Sequence, residues 1–238
     1  MKNALVFGGA NSLDFIDVRL GVVRIPEVSL KLQEAQQIWD RHRDDSFCFH
    51  TFLMSDDGTF FNSSGLKSLC MSIVQLGLFD RYCRLFRAPD CYIGNIQRDS
   101  ALQVVCGRQS LAQLILNSSV MGIPTAEVGD PTVTHLNGQI LPRYQTFERL
   151  TVGGDENEHF APVHEPEMTL VAAIEHAIDQ RGVTKIVHVG PGQLDRTVTS
   201  ALEPRELSVV ESIDIDPMLG WFWRDMRHGT FAQNVGAS

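Results

Sequence analysis

The residues best placed to do chemistry surround Gly94. The run Asp90-Cys91-Tyr92-Ile93-Gly94-Asn95-Ile96-Gln97-Arg98-Asp99-Ser100 follows Pro89 as a short apolar strand, turns at a glycine, and continues as a helix-compatible stretch to Cys106. Strand, sharp turn and helix form the setting in which Gly-x-Ser-x-Gly lifts a serine hydroxyl onto a strained turn for covalent catalysis. Gly94 is in place, but Ile96 stands at the nucleophile position and Arg98 at the second glycine. An isoleucine side chain has neither a proton to lose nor a lone pair to attack with, and covalent transfer needs an activated nucleophile. Cys91, Ser100 and Cys106 lie close by. Cys91 falls inside the strand and Cys106 inside the helix, where core roles are expected. Ser100 falls at a helix start, where capping is expected. A relocated nucleophile is the other reading of these three.

A glycine-rich turn, Gly8-Gly9-Ala10-Asn11-Ser12, follows the first apolar run, Ala4 to Phe7. Such a turn can cradle a phosphate, but the spacing Gly-x-Gly-x-x-Gly is absent, and a plain strand-to-helix turn is the simpler reading. The five cysteines, Cys48, Cys70, Cys83, Cys91 and Cys106, are odd in number and contain no Cys-x-x-Cys pair. Neither a disulfide framework nor a zinc site is expected, and no metal or cofactor is implied. His164 sits in a proline-bounded stretch, Ala161-Pro162-Val163-His164-Glu165-Pro166, which reads first as surface loop.

The segment around Gly94 resembles the active-site segment of the malonyl-CoA:acyl carrier protein transacylase family, an elbow reading Gly-His-Ser-Leu-Gly. Gly94 fits the glycine, Asn95 replaces the histidine and Ile96 the serine. The family opens with a strand and Pro-Gly-Gln-Gly-Ser-Gln; Gly9 and Ser12 match it, whereas Gly8, Ala10, Asn11 and Leu13 do not. The resemblance implies an oxyanion-hole amide at Ala10. It also implies an active-site border at Gly190-Pro191-Gly192, so Gly9, Ala10, Gly190, Pro191 and Gly192 are the implied pocket-lining residues. Malonyl-specific members carry an arginine about two dozen residues after the serine, pairing with the substrate carboxylate. Here no arginine or lysine occurs between Arg108 and Arg143. His164 loosely matches the family's histidine segment, as a vestigial base with nothing to deprotonate.

The elements that must position these residues follow from periodicity. Ala4 to Phe7 is a continuous apolar run, the signature of a buried parallel strand. Ile25 to Arg41 reads as a helix opening at Pro26, with Val28, Leu32, Ala35 and Ile38-Trp39 on one face. Phe47 to Met54 fits a strand or a buried connector. Ser63 and Ser64 are N-cap candidates for a long helix ending before Pro89, and Leu111 to Leu116 forms a further helix after Gly107. The segment from Ile123 to Pro162 is rich in Gly, Pro, Thr and Asn. Val133 to Leu136, Gln139 to Leu141 and Arg149 to Val152 are short strand candidates, with Asn137-Gly138 as a hairpin turn. Pro166 opens a helix stopped by Gly182. Lys185 to Val189 is the next strand, and Leu207 to Ile215 supplies the last.

The resemblance covers most of residues 1 to 122 and 162 to 205. The fold class it implies is α/β: a mostly parallel sheet flanked by helices, an α/β-hydrolase-like core, in one domain over 1–238. In the family a small ferredoxin-like subdomain carries the histidine. Here that subdomain is absent or reduced, with 123–162 as a reduced insertion in its place, a hairpin and a loop. The 238 residues carry a formal charge of −9, which argues against a general nucleic-acid binder. The hydrophobic fraction of 43% and charged fraction of 21% are those of an ordinary globular chain. No apolar window is long enough to span a bilayer, and the N-terminal apolar run is too short for a signal peptide, so the cytoplasm is the expected compartment. The adjacent aromatics Trp221-Phe222-Trp223 cannot all face one core, and are expected to contact a partner or a second copy.

Three functions fit. The first is a pseudoenzyme: an acyltransferase-like chain without the serine, acting by binding an acyl carrier protein or synthase component in fatty-acid or polyketide biosynthesis. The second is an active acyl-CoA:acyl carrier protein acyltransferase, or a thioester hydrolase, with a relocated nucleophile. The third is a small-molecule or nucleotide-binding module built on Gly8 to Ser12. The first is the reading adopted from the sequence.

Overall fold

The computed structural model describes residues 2–7, 12–14, 16–55, 63–86, 88–95, 99–118, 133–136, 139–142, 145–150, 159–162, 169–191, 194, 196–205 and 208–211. The strands are β1 (Lys2–Phe7), β2 (Cys91–Gly94), β3 (Val133–Leu136), β4 (Gln139–Pro142), β5 (Gln145–Leu150), β6 (His159–Pro162), β7 (Val183–Val189) and β8 (Ser208–Glu211). The helices are α1 (Ile16–Val22), α2 (Pro26–His42), α3 (Phe49–Met54), α4 (Ser64–Leu85), α5 (Ser100–Val105), α6 (Leu111–Asn117), α7 (Leu170–Arg181) and α8 (Arg196–Leu202).

Six strands form one sheet in the order β6-β5-β2-β1-β7-β8. β2, β1, β7 and β8 are parallel neighbours, while β5 and β6 add on antiparallel beyond β2. The molecule is therefore α/β with a parallel core, as the apolar runs imply. The direction of chain build-up reverses at β1: β2 lies to one side and β7 to the other. Strand ends at such a reversal leave a crevice at the carboxyl edge.

The pleat splits the core in two. Leu5, Phe7, Tyr92, Val187 and Val189 point to a large cluster shared with α2 to α6. Ala4, Val6, Cys91, Ile93 and Ile186 point the other way, onto α7 and α8. Alternate side chains of one strand feed opposite layers, so these strands are apolar at nearly every position.

On the larger face α2 opens with Pro26 in its first turn, where a missing N–H costs nothing. Val28, Leu32, Ala35 and Trp39 are buried along it. It crosses α4 closely: a Cβ on Gly77 would lie 2.5 Å from the Val28 Cα. Trp39 packs edge-on against Phe49, their centroids 5.5 Å apart, and Phe47 sits 4.9 Å from Phe49. Full burial of one such side chain is worth about 1.5–3 kcal/mol. Gln36 ties this cluster down, donating to the Phe47 carbonyl and accepting from the Phe49 N–H. Phe47 to Met54 is thus a connector ending in a short helix, not a strand.

Buried Arg19 acts as a clamp rather than a site. Its guanidinium donates to the carbonyls of Leu13, Leu53 and Ser55 at 2.7–2.8 Å, joining the turn after β1 to the end of α3. A buried cation is tolerable when its donors are met in this way.

Several boundaries differ from the sequence reading. Ser63 occupies the N-cap of α4, yet its side chain makes no capping bond. The helix expected from Pro166 begins at Leu170, because Thr169 caps it through the Ala172 N–H; Gly182 stops it in the left-handed region, φ 68°. β3 and β4 flank Asn137-Gly138 in antiparallel register, as a two-residue hairpin requires. The strand expected at Arg149 to Val152 instead runs from Gln145 to Leu150. With β6 it joins the main sheet, so the insertion is more than a hairpin and a loop. Leu207 to Ile215 contributes Ser208–Glu211. Trp221-Phe222-Trp223 lies outside the described residues.

Candidate functional site

β1, β2 and β7 end side by side. Val6 is level with Ile93 and His188, and Phe7 with Val189. Gly94, one residue beyond Ile93, is level with Phe7. The segments after Phe7, Gly94 and Val189 therefore leave from one edge of three adjacent strands. These are the three segments singled out in the sequence: Gly8 to Ser12, Asn95 to Asp99, and Gly190 to Gly192. Gly9, Ala10, Ile96, Arg98, His164 and Gly192 lie outside the described residues.

Gly94 has no room for a side chain. A Cβ there would meet Leu102 Cδ2 at 2.6 Å, Asp99 Oδ2 at 3.0 Å and Phe7 Cβ at 3.3 Å. The glycine lets the end of β2 press against α5 and β1 together. Immediately after it the chain closes on itself. The Asn95 N–H donates to Asp99 Oδ2 at 2.6 Å, and the Asp99 N–H donates to the Asn95 carbonyl at 2.7 Å. Asp99, not Ser100, is the N-cap residue of α5. Ser100 is the first residue of the helix, so the capping role expected for it is not filled, and the Asp99 side chain makes no capping bond either. Asn95 is itself buried.

Gly190 and Pro191 follow β7 and are both buried. Gly190 is set by a residue the sequence reading passed over. A Cβ at Gly190 would lie 2.8 Å from Cε1 of His188, whose ring is buried beneath it. His188 alternates with Val187 and Val189 and so belongs to the face covered by α7 and α8.

The alternative nucleophiles separate by environment. Cys91 is buried on the α7–α8 face. Cys106 is buried on the opposite face, and desolvation pushes its thiol up to about 12, with Arg108 opposing weakly. A thiol held protonated in this way is a poor nucleophile at neutral pH. Of the three, Ser100 lines a cleft among the described residues.

That cleft, about 370 Å³ in volume, lies between the first half of α4 and the helices α5 and α6. Ser68, Ser72, Ser100, Gln103, Gln109, Asn117 and Ser118 bring hydroxyls and carboxamides to it; Gly65, Leu69 and Leu114 complete the wall. Among the described residues the lining contains no histidine, cysteine, carboxylate or cation. Gly190 and Pro191 are not part of it. The polar residues of α4 are a signal hidden by counting only its apolar positions. Ser68, Ser72 and Gln75 recur at i, i+4 and i+7 along one side of the helix. Arg43 braces the far wall, donating from one nitrogen to the carbonyls of Leu116 and Ser118 at 3.1 and 3.2 Å. Its guanidinium also lies 4.7 Å from the Trp39 ring centroid. Among the described residues no group of three or more His, Cys, Asp or Glu could hold a metal ion, and no helix is long and apolar enough to cross a membrane.

No protein-family model and no curated protein sequence matches the chain. Solved structures do. A malonyl-CoA:ACP transacylase from Synechocystis superposes with a TM-score of 0.55 at 13% identity, over 89% of this chain and 97% of that one. An acyl carrier protein S-malonyltransferase from Vibrio cholerae gives 0.56 at 12% identity, over 89% and 96%. A malonyl CoA-acyl carrier protein transacylase from Clostridium perfringens gives 0.55 at 9% identity, over 98% and 100%. With so few shared residues the likeness speaks for architecture: the chain has the fold of the malonyl-CoA:acyl carrier protein transacylases.

Proposed function

We propose that this chain is a non-catalytic acyltransferase-like protein, a single domain over 1–238, that works by binding an acyl carrier protein or a synthase component in fatty-acid or polyketide biosynthesis in the cytoplasm. One observation carries the reading. β2 ends at Gly94 and α5 begins at Ser100, so the connection between them is Asn95-Ile96-Gln97-Arg98-Asp99. Whichever of these residues occupies the turn, none brings a hydroxyl or a thiol. The one carboxylate, Asp99, accepts the Asn95 N–H and closes the connection instead of presenting a nucleophile. An acyl-enzyme needs such a group at the carboxyl edge of the sheet. The thiol of Cys106 is held protonated, which leaves a relocated nucleophile without support there. The partner class rests on the fold shared with proteins that transfer malonyl groups to acyl carrier protein.

The test is incubation of the full chain with malonyl-CoA and with acetyl-CoA, followed by intact-mass measurement, alongside titration with holo-acyl carrier protein by calorimetry. The expected result is saturable binding of the carrier protein and no covalent acyl adduct. An adduct on any residue overturns the non-catalytic reading; absence of carrier binding overturns the assigned partner.

A further inference from the structure

We infer that the cleft between α4, α5 and α6 is a binding site for a neutral, hydroxyl-rich small molecule, and that it discriminates against carboxylates. The inference concerns the cleft alone and holds whether or not the Asn95–Asp99 connection supports chemistry.

At about 370 Å³ the cleft falls in the range of small-ligand sites. Its chemistry is one-sided. Hydroxyls and carboxamides from three different helices converge on it, and each can both donate and accept. Some are already committed to the protein: Ser72 Oγ donates to the Ser68 carbonyl at 3.0 Å, and Gln109 Nε2 to the Ser100 carbonyl at 3.3 Å. The side chains of Ser68, Ser100 and Asn117 line the cleft and make no hydrogen bond to another described residue. Leu69 and Leu114 provide an apolar floor.

Charge decides the class. A carboxylate leaving water needs a cation or several donors already aimed at it. None of the described lining residues is charged. Arg43, which braces the α6 wall, is outside the lining; it donates from one nitrogen to the carbonyls closing α6 and lies over Trp39. Lys67, which falls between the lining residues Gly65 and Ser68 on α4, is paired with Asp14. A neutral polyol can satisfy the donors and acceptors of the wall without that penalty. A carboxylate of the same shape would carry its full desolvation cost.

The experiment uses two alcohol–acid pairs that differ only at one terminal carbon: panthenol with pantothenate, and glucose with glucuronate. Each is titrated into the full chain at constant ionic strength and followed by ligand-observed saturation-transfer NMR. The first pair tests a linear hydroxy-amide, the second a cyclic polyol. The expected result is that at least one alcohol binds about tenfold or more tightly than its acid. Two variants locate the binding. Ser68→Trp fills the cleft from an exposed helix position, and Asn117→Leu removes one amide from another. Both should keep the wild-type thermal unfolding midpoint; Ser68→Trp should abolish alcohol binding and Asn117→Leu weaken it severalfold. The proposal is overturned if neither alcohol binds at millimolar concentration, if the acids bind as well as the alcohols, or if binding survives in both folded variants. Should Ser68→Trp fail to fold, Asn117→Leu alone decides.

Discussion

Gln75, midway along α4, donates from Nε2 to the backbone carbonyl of Val189, the last residue of β7, at 3.0 Å. The pair joins a helix on one face of the sheet to the strand end from which Gly190 and Pro191 depart. Both partners are buried, so the bond is shielded from competing water. Gln75→Leu keeps most of the volume but leaves the Val189 carbonyl without its donor. The expected loss is about 1–3 kcal/mol of unfolding free energy, read from urea denaturation. Gln75→Glu should cost more at neutral pH than at pH 4, because an ionised carboxylate has no proton to donate to a carbonyl.

Gly94 gives the second prediction. A methyl group there would stand 2.6 Å from Leu102 Cδ2 and 3.3 Å from the Phe7 Cβ. Gly94→Ala should destabilise the fold by about 1–3 kcal/mol through overpacking. Leu102→Ala costs stability alone by emptying the same space. Combined, the two changes should cost less than their sum, and a double-mutant cycle by chemical denaturation measures the difference. Strict additivity would show that α5 does not press on the end of β2.

The cysteines give a pH dependence. Burial pushes the Cys106 thiol up to about 12 and raises that of Cys70 further. In the unfolded chain these thiols ionise near 8.5. Between those values the folded protein binds the proton and the unfolded chain does not. Stability present below about pH 8.5 is therefore lost progressively as pH rises toward 12. Cys106→Ala should flatten part of that alkaline decline in pH-dependent denaturation midpoints. Cys48 is exposed, and its hydrogen bond from Thr51 lowers its thiol. Under brief native alkylation with mass mapping it should react well before Cys70 and Cys106.

How much of this was legible depended on how long each pattern ran. α2 shows four buried positions at helical spacing and a proline at its start, and the sequence reading places it within one residue. β1 and β7 are apolar without alternation, which marks strands covered on both faces. Gly107 and Gly182 stand where helices stop, both at positive φ. Short runs were ambiguous. Phe49 to Met54 spans six residues, too few to separate a period of 3.6 from one of 2. β6 is four residues ending in a proline, and it exists because β5 offers an edge, which is tertiary information. The cleft escaped notice because serines and glutamines on a core helix read as neutral filler until three helices bring them together. His188 was hidden in the same way: only the packing of Gly190 over its ring shows why that glycine is needed.

β1 is an interior strand of the sheet, and both of its neighbours follow it at long range in the sequence. β1 pairs with β2 through Val6 and Ile93, and with β7 through Val6 and His188. During synthesis the ribosome releases β1 long before either partner exists, with both of its backbone edges bare and four consecutive apolar residues beside them. An unpaired apolar strand of that kind invites pairing with other nascent chains. Completion of the core waits for β7, and contacts so distant in sequence make for slow folding. A chaperone that holds the β1 segment until β7 is made would therefore raise the yield of native protein more than one acting later.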